Sequence, residues 1–340
     1  MIAQLDKAYI QTRPTKLFSR LLSYALFEGR PITTKGQWLN PLLFFLFRIE
    51  KRLPQLKTVE KPIFILGTGR SGTTLLGTLL SMHKDVGFLN EPKALWHSIY
   101  AAEDLAGSYT LQKAFYRLNA QHVSNNVKKD AHRLFGAYLT ATCSSRIVDK
   151  YPELIFRVPF VKEIFPDAKF LFLVRNGWDT CSSIANWSER AGAVVNQVTH
   201  DWWGRNNRKW GLLVDEIISP DPYYQNAVSS ILGFHDHFNM ATVEWIATMR
   251  EGIKMMREYP DDILMIRFED MTNNTLECFR RIVDFCELRE DNKMMEYAEK
   301  KIIPISSHPK KNIHSDIYQL FMNINFCLGI SAEEYSEPCL

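Results

Sequence analysis

The sequence predicts an α/β protein with a central parallel sheet covered by helices on both faces. Two observations carry that expectation. Apolar runs of strand length recur at Ile63–Leu66, Val86–Leu89, Lys169–Val174 and Ile263–Ile266. They lack the apolar–polar alternation of a strand with one wet face, so each is expected to be buried on both sides. Segments of helical periodicity separate them, and parallel strands are joined in that way. Ligands in such sheets bind beyond the carboxyl ends of the strands, so the loops after Leu66, Leu89, Val148 and Val174 should share one crevice.

Residues 1–58 read as a mostly helical extension packed on the core, and residues 59–340 as a single main domain. The apolar stretch Leu39 to Ile49 is too short to span a membrane and runs into Glu50, Lys51 and Arg52. Its aromatic side suits a membrane surface or a partner, although packing on the core is the commoner use of such a helix. Pro54 and the polar residues up to Lys61 mark the linker into the first strand. After the loop that follows Leu66, residues 73–82 have helical spacing. Residues 93–142 also read as helical. Ile147 and Val148 form a short strand ending in Asp149-Lys150-Tyr151-Pro152, and a helix stops at Pro166. Lys169–Val174 leads into Arg175-Asn176-Gly177 and another helix. Helical patterns at 238–258 and 275–287 flank the last strand.

The loop after the first strand, GTGRSGTTLL from Gly67, sets the chemistry. A strand, a glycine-rich loop and a helix N-terminus make an anion cradle, because unpaired amides and the helix dipole converge there. Gly67, Gly72 and Thr74 satisfy the P-loop spacing, but Thr73 stands where a P-loop carries Lys. That Lys would reach the β- and γ-phosphates of a triphosphate, so ATP or GTP hydrolysis is disfavoured. Arg70 brings a cation three residues earlier, which suits a 5′-phosphate or phosphosulfate held by Gly69, Arg70, Ser71, Gly72, Thr73 and Thr74.

Composition narrows the remaining choices. The chain is 46% hydrophobic and 23% charged, as in soluble globular proteins, and its net charge of +3 gives no case for nucleic acid. Six cysteines occur without a CxxC pair, which reads as reduced thiols, not a disulfide framework or a zinc site; no metal is expected. His235-Asp236-His237 lacks a third ligand at recognisable spacing. Trp202, Trp203 and Trp210 read as core, with walling of an acceptor pocket as the alternative.

The loop GTGRSGTTLL and the segment FPDAKFLFLVRNGWDTCSS together resemble the sulfotransferase family, whose members use 3′-phosphoadenosine 5′-phosphosulfate (PAPS). The resemblance implies a P-loop nucleotide-kinase-like three-layer α/β/α fold. It covers roughly residues 61–100 and 145–190, and more weakly 260–288. It is nearer to the carbohydrate, tyrosyl-protein and bacterial small-molecule types, which carry Arg at the place of Arg70. It implies that Arg175 and, eight residues on, Ser183 hold the 3′-phosphate of PAPS. Asn176 and Phe268 depart from the family pattern, which commonly has Asp and Tyr there.

The same resemblance implies the catalytic groups. Glu91, in Asn-Glu-Pro, stands where those types place a general base, and His97 is the alternative. Arg70 is expected to stabilise the leaving group and Lys150 to steady its bridging oxygen. Ser306 and Lys310 resemble a late nucleotide-contacting loop. General-base duty for Glu91 is expected to need a raised pKa.

The expected activity is sulfuryl transfer from PAPS to a hydroxyl or amine of a small-molecule acceptor, a metabolite or natural product, by a cytoplasmic enzyme with no membrane span. A P-loop phosphotransferase and a non-catalytic binder of 3′-phosphoadenosine 5′-phosphate (PAP) are the alternatives.

Overall fold

The computed structural model describes residues 2–302 and 310–330. Its strands are β1 (Ile63–Gly67), β2 (Val86–Asn90), β3 (Arg146–Lys150), β4 (Lys169–Val174), β5 (Ala193–Val195), β6 (Val198–Asp201), β7 (Gly204–Arg205) and β8 (Ile263–Arg267). Five make the main sheet, in the order β2-β3-β1-β4-β8, and every pairing in it is parallel. β5, β6 and β7 make a small antiparallel sheet.

Period-two alternation in the inner strands divides the interior into two cores. Phe64 and Leu66 of β1 face the same side as Phe170, Phe172 and Val174 of β4. Ile63 and Ile65 face the other side, with Leu171 and Leu173. The long helix His237–Glu258 and the helix Gly177–Ala191 bury their apolar faces on the first side. The helices Thr73–Leu80 and Thr275–Phe285 cover the second. This is the expected three-layer arrangement, and it puts the carboxyl ends of all five strands at one edge.

The N-terminal helix Thr15–Leu26 closes the free edge of that sheet. β2 is an edge strand, so alternate backbone groups point away from the ladder and need partners. Lys16 Nζ donates to the carbonyls of Lys84 (2.9 Å) and Val86 (2.6 Å). One helical turn on, Arg20 Nη1 donates to the carbonyl of Phe88 (3.2 Å). Glu28 then accepts the amide of Asn90 at 2.8 Å. Val86, Phe88 and Asn90 are alternate residues, so three side chains serve in place of a neighbouring strand. Arg20 and Glu28 are themselves a buried bidentate ion pair, with Nη2 to Oε2 at 3.0 Å.

Three expectations change. Residues 93–142 are not one helical region: helices span Lys93–Ile99 and Asn125–Ala141, with loops and short 3-10 turns between. Asp104 organises that loop by accepting the amides of Ser108, Tyr109 and Thr110 (3.0, 2.7 and 3.0 Å), a local alternative to helix. The β5–β7 sheet was not expected, because its strands are two to four residues long and too short for a readable period. Cys327 is disulfide-bonded, whereas Cys143, Cys181, Cys278 and Cys286 are free thiols.

Replacing Arg20 by Met should leave the Glu28 carboxylate buried without its cation and cost about 3–5 kcal/mol of folding stability, measured by urea unfolding. A loss below about 1 kcal/mol, the scale of an exposed pair, would show that the pair does not hold the edge of β2.

Candidate active site

The strand ends open on a cleft of about 590 Å³. Gly72, at φ +100°, turns the chain into the helix Thr73–Leu80, a conformation that favours glycine. Gly69, Arg70, Gly72, Thr73 and Thr74 all line the cleft. Ser71 does not; its hydroxyl donates to the Thr68 carbonyl at 2.6 Å and braces the loop from beneath. Arg70 sits at φ +70° and Glu91 at φ +52°, both in the region costly for a side-chain-bearing residue. Two of the residues singled out by chemistry thus carry backbone strain, as do other positions such as Lys61 and Cys143.

The glycine-rich loop meets the helix that follows β4. Arg70 Nε donates to Ser183 Oγ at 3.2 Å. Burial pulls the Arg70 guanidinium pKa down, as do the charges of Arg190 and Arg175, while Glu91 opposes them. Arg175, on the last residue side of β4, is 9% exposed and its guanidinium lies 4.5 Å from the centre of the Phe268 ring. Its Nη2 stands 3.7 Å from Asp179, and its buried Nε has no hydrogen-bond partner. Other buried arginines also have an unpaired Nε, but Arg175 lines the cleft, where that donor is open to an anionic group. Phe268 packs on that cation through its ring face, so the loss of a Tyr hydroxyl at this position does not remove its use.

Glu91 and Lys150 end adjacent strands. The Glu91 amide donates to the Lys150 carbonyl at 2.7 Å, and Lys150 Nζ to Glu91 Oε1 at 2.5 Å. Burial pushes the Glu91 pKa up, but Lys150 and Lys93 outweigh it and hold the carboxylate below its ordinary range. The expectation of a raised pKa is therefore overturned: Glu91 is an ionised carboxylate, with 39% of its side chain open to the cleft. Lys150 is buried, and its ammonium carries three donors, so bonding Glu91 leaves others for a ligand.

Beyond this pair runs a line of alternating charges. Lys93 lies 3.6 Å from Glu91 and 3.3 Å from Glu153; Lys209 lies 3.4 Å from Glu153 and 2.5 Å from Glu244. Glu244 accepts the indole N–H of Trp202 at 2.5 Å. Trp202 covers Gly69 so closely that an added Cβ there would meet its ring at 2.4 Å. Trp203 and Trp210 are buried in the core, while Trp202 lines the cleft. Sequence reasoning missed Lys93, Glu153, Lys209 and Glu244, whose pairings with one another span distant parts of the chain.

Not every expected residue converges. His97 is not among the cleft-lining residues; its ring packs between Phe44 (5.8 Å) and Tyr109 (5.4 Å) and its Nδ1 lies 3.2 Å from the Ala101 carbonyl. Lys310 is also outside: it lies over the Trp178 ring at 4.7 Å, in a separate cavity of about 410 Å³. Ser306 falls outside the described residues. His237 accepts the Trp203 indole N–H at 2.8 Å, and Asp236 caps its helix through the Asn239 amide. Among the described residues no group of three or more His, Cys, Asp or Glu could hold a metal ion, and no helix is long and apolar enough to cross a membrane.

Comparison with known proteins agrees with this geometry. The sulfotransferase family model matches residues 62–219. A protein-tyrosine sulfotransferase of Drosophila melanogaster is 33% identical over 125 residues, 36% of this chain and 24% of that protein. An uncharacterized protein of Aquifex aeolicus is 24% identical over 280 residues, 76% of this chain and 30% of its own length. The chain thus spans less than a third of either relative. The crystal structure of a Mycobacterium avium sulfotransferase shares the fold, with a TM-score of 0.50 at 12% identity over 97% of this chain and 93% of that one.

Asp149, beside Lys150 on β3, gives a pH test of the site's buried support. It accepts the Trp96 indole N–H at 2.8 Å, and burial pushes its pKa up to about 8. A carboxyl raised on folding stabilises the fold at low pH and loses that contribution as pH climbs from the ordinary carboxylate range to about 8. Between pH 5 and 8 the protein should therefore lose up to about 1.4 kcal/mol of stability per pH unit relative to Asp149→Asn. Parallel stability–pH curves for the two proteins, from chemical unfolding, would show Asp149 to be ionised in the fold.

Proposed function

We propose that this chain, whose residues 62–219 match the sulfotransferase family model, transfers the sulfuryl group of PAPS to a hydroxyl or amine of a small-molecule acceptor and releases PAP. The observation that carries this reading is the meeting of two anion sites, at Arg70 and at Arg175 with Ser183, beside the Glu91–Lys150 pair in one cleft. A triphosphate site would want a Lys at Thr73; a nucleotide with separate 5′- and 3′-groups wants two cationic sites. The partnerless Arg175 Nε fits the second group.

In this reading the acceptor O–H or N–H attacks sulfur while the S–O bond to the 5′-phosphate breaks. The Glu91 carboxylate takes the acceptor's proton. Lys150 and Arg70 face the charge that develops on the leaving phosphate, aided by the amides of residues 72–74. A carboxylate held ionised by a lysine is a weak base but is in its working form throughout the neutral range. Its environment also changes in step with the reaction: as Lys150 turns a donor to the departing oxygen, its hold on Glu91 loosens and the carboxylate becomes more basic.

Two measurements test the proposal. Isothermal titration should show that the protein binds PAP without requiring magnesium, and that Arg175→Ala weakens PAP by about 1.5–3 kcal/mol. Adenosine 5′-phosphosulfate, which lacks the 3′-phosphate, should be weakened much less. Tight ATP–magnesium binding without PAP binding, or equal losses for both ligands, counts against it. Glu91→Gln should lower turnover by about 10²–10⁴ while PAP binding holds. Because Lys150 depresses the Glu91 pKa, activity should persist at pH values where an ordinary carboxylate is already protonated.

A further inference from the structure

We infer that the outward face of the helix Asn40–Glu50, with the turns at its two ends, docks on the surface of an anionic lipid bilayer. Leu43 and Phe47 fix the inner side of this helix in the core. Trp38, Leu42, Phe45 and Ile49, spaced four, three and four residues apart, form one stripe on the opposite side, and all are exposed. Trp38 is 79%, Leu42 52% and Phe45 54% exposed, and Leu53 and Leu56 extend the apolar surface beyond the helix end. Scattered apolar residues on a surface need no explanation, but a continuous stripe of this kind marks an interaction face.

The charges beside the stripe select its occupant. Lys35, Arg48 and Arg52 are exposed, and none has an ion-pair partner among the described residues. Glu50 is the sole carboxylate between residues 29 and 59, and it is half-buried, with burial pushing its pKa up to about 7. The face is therefore apolar and cationic, with almost no negative charge. Packed against a second copy of itself, it would crowd the arginines of both copies together without a carboxylate to relieve them. A bilayer surface meets both needs, with lipid phosphates for the cations and the acyl boundary for Leu42, Phe45 and Ile49. Trp38 suits the headgroup level, where an indole keeps one wet end.

The same segment reaches the cleft. Gly29, Arg30, Pro31, Ile32, Thr33 and Thr34 line its wall, and Thr34 is four residues from Trp38. Docking through this face holds that wall close to the membrane surface, within reach of an amphiphile anchored there.

Vesicle co-sedimentation of the full chain tests the inference without any assay of turnover. The protein should sediment with vesicles of phosphatidylcholine and phosphatidylglycerol, less with phosphatidylcholine alone, and less at high salt. Arg48→Gln with Arg52→Gln should weaken binding about thirty-fold, at the scale of two juxtamembrane cations. Leu42→Ser with Phe45→Ser should abolish it, with far-ultraviolet circular dichroism and PAP affinity unchanged. Absence of binding to the anionic vesicles overturns the inference. So does binding that survives both pairs of substitutions, or a concentration-dependent dimer that Leu42→Ser with Phe45→Ser dissociates.

Discussion

The ion pair between Glu91 and Lys150 is the constraint on which the site depends. A carboxylate set among buried groups takes up a proton unless a cation stands beside it. Lys150 is that cation, and it is placed by the parallel pairing of β2 with β3, which sets Asn90 opposite Lys150. The next residue, Glu91, then returns its amide to the Lys150 carbonyl and its carboxylate to the Lys150 ammonium. The pair is thus a product of strand register. A slip of one residue would turn Lys150 to the other face of the sheet.

That register is itself held from outside the sheet. β2 has no neighbouring strand on one side, and Lys16, Arg20 and Glu28 fill the vacancy with side-chain hydrogen bonds to alternate residues. Glu28 anchors the amide of Asn90, immediately before Glu91. The N-terminal helix therefore bears on chemistry some 60 residues further along the chain, through an ion pair and one strand. Its following loop then lines the cleft, so a segment without any sequence motif contributes both to positioning and to the pocket.

What was legible in the sequence follows from how local each signal is. Four of the five sheet strands hold apolar runs and β3 a shorter one at Ile147 and Val148, and the glycine-rich loop packs its glycines, cation and hydroxyls into eight residues, so both could be read directly. Arg175 and Ser183 could be placed at the cleft because strand, loop and helix follow one another without interruption. Glu91 and Lys150 could be named, but not their pKa relation, since that depends on a contact 59 residues apart. His97 and Lys310 show the converse. Each lies near a real feature in the chain, yet helix phase points His97 at Phe44 and Tyr109, and Lys310 rests on Trp178 in another cavity. The short β5–β7 strands gave no period to read, although they carry Trp202 to the phosphate loop.

The charges that join Trp202 to Glu91 show why these distant pieces behave as one site. Each inner member of the line, from Glu91 through Lys93, Glu153 and Lys209, lies between opposite charges. Burial alone would push the pKa of Lys93 and Lys209 down, but their carboxylate neighbours outweigh it and raise both. Neutralising an inner lysine would remove one of the cations on each carboxylate beside it: Glu91 and Glu153 for Lys93, Glu153 and Glu244 for Lys209. At one end is Glu91, the proposed general base. At the other, Glu244 holds the indole that packs over Gly69 of the phosphate loop. One connected set of charges thus runs from Glu91 to the carboxylate that holds Trp202 over Gly69, and Lys93 within it adds to the hold of Lys150 on the Glu91 carboxylate.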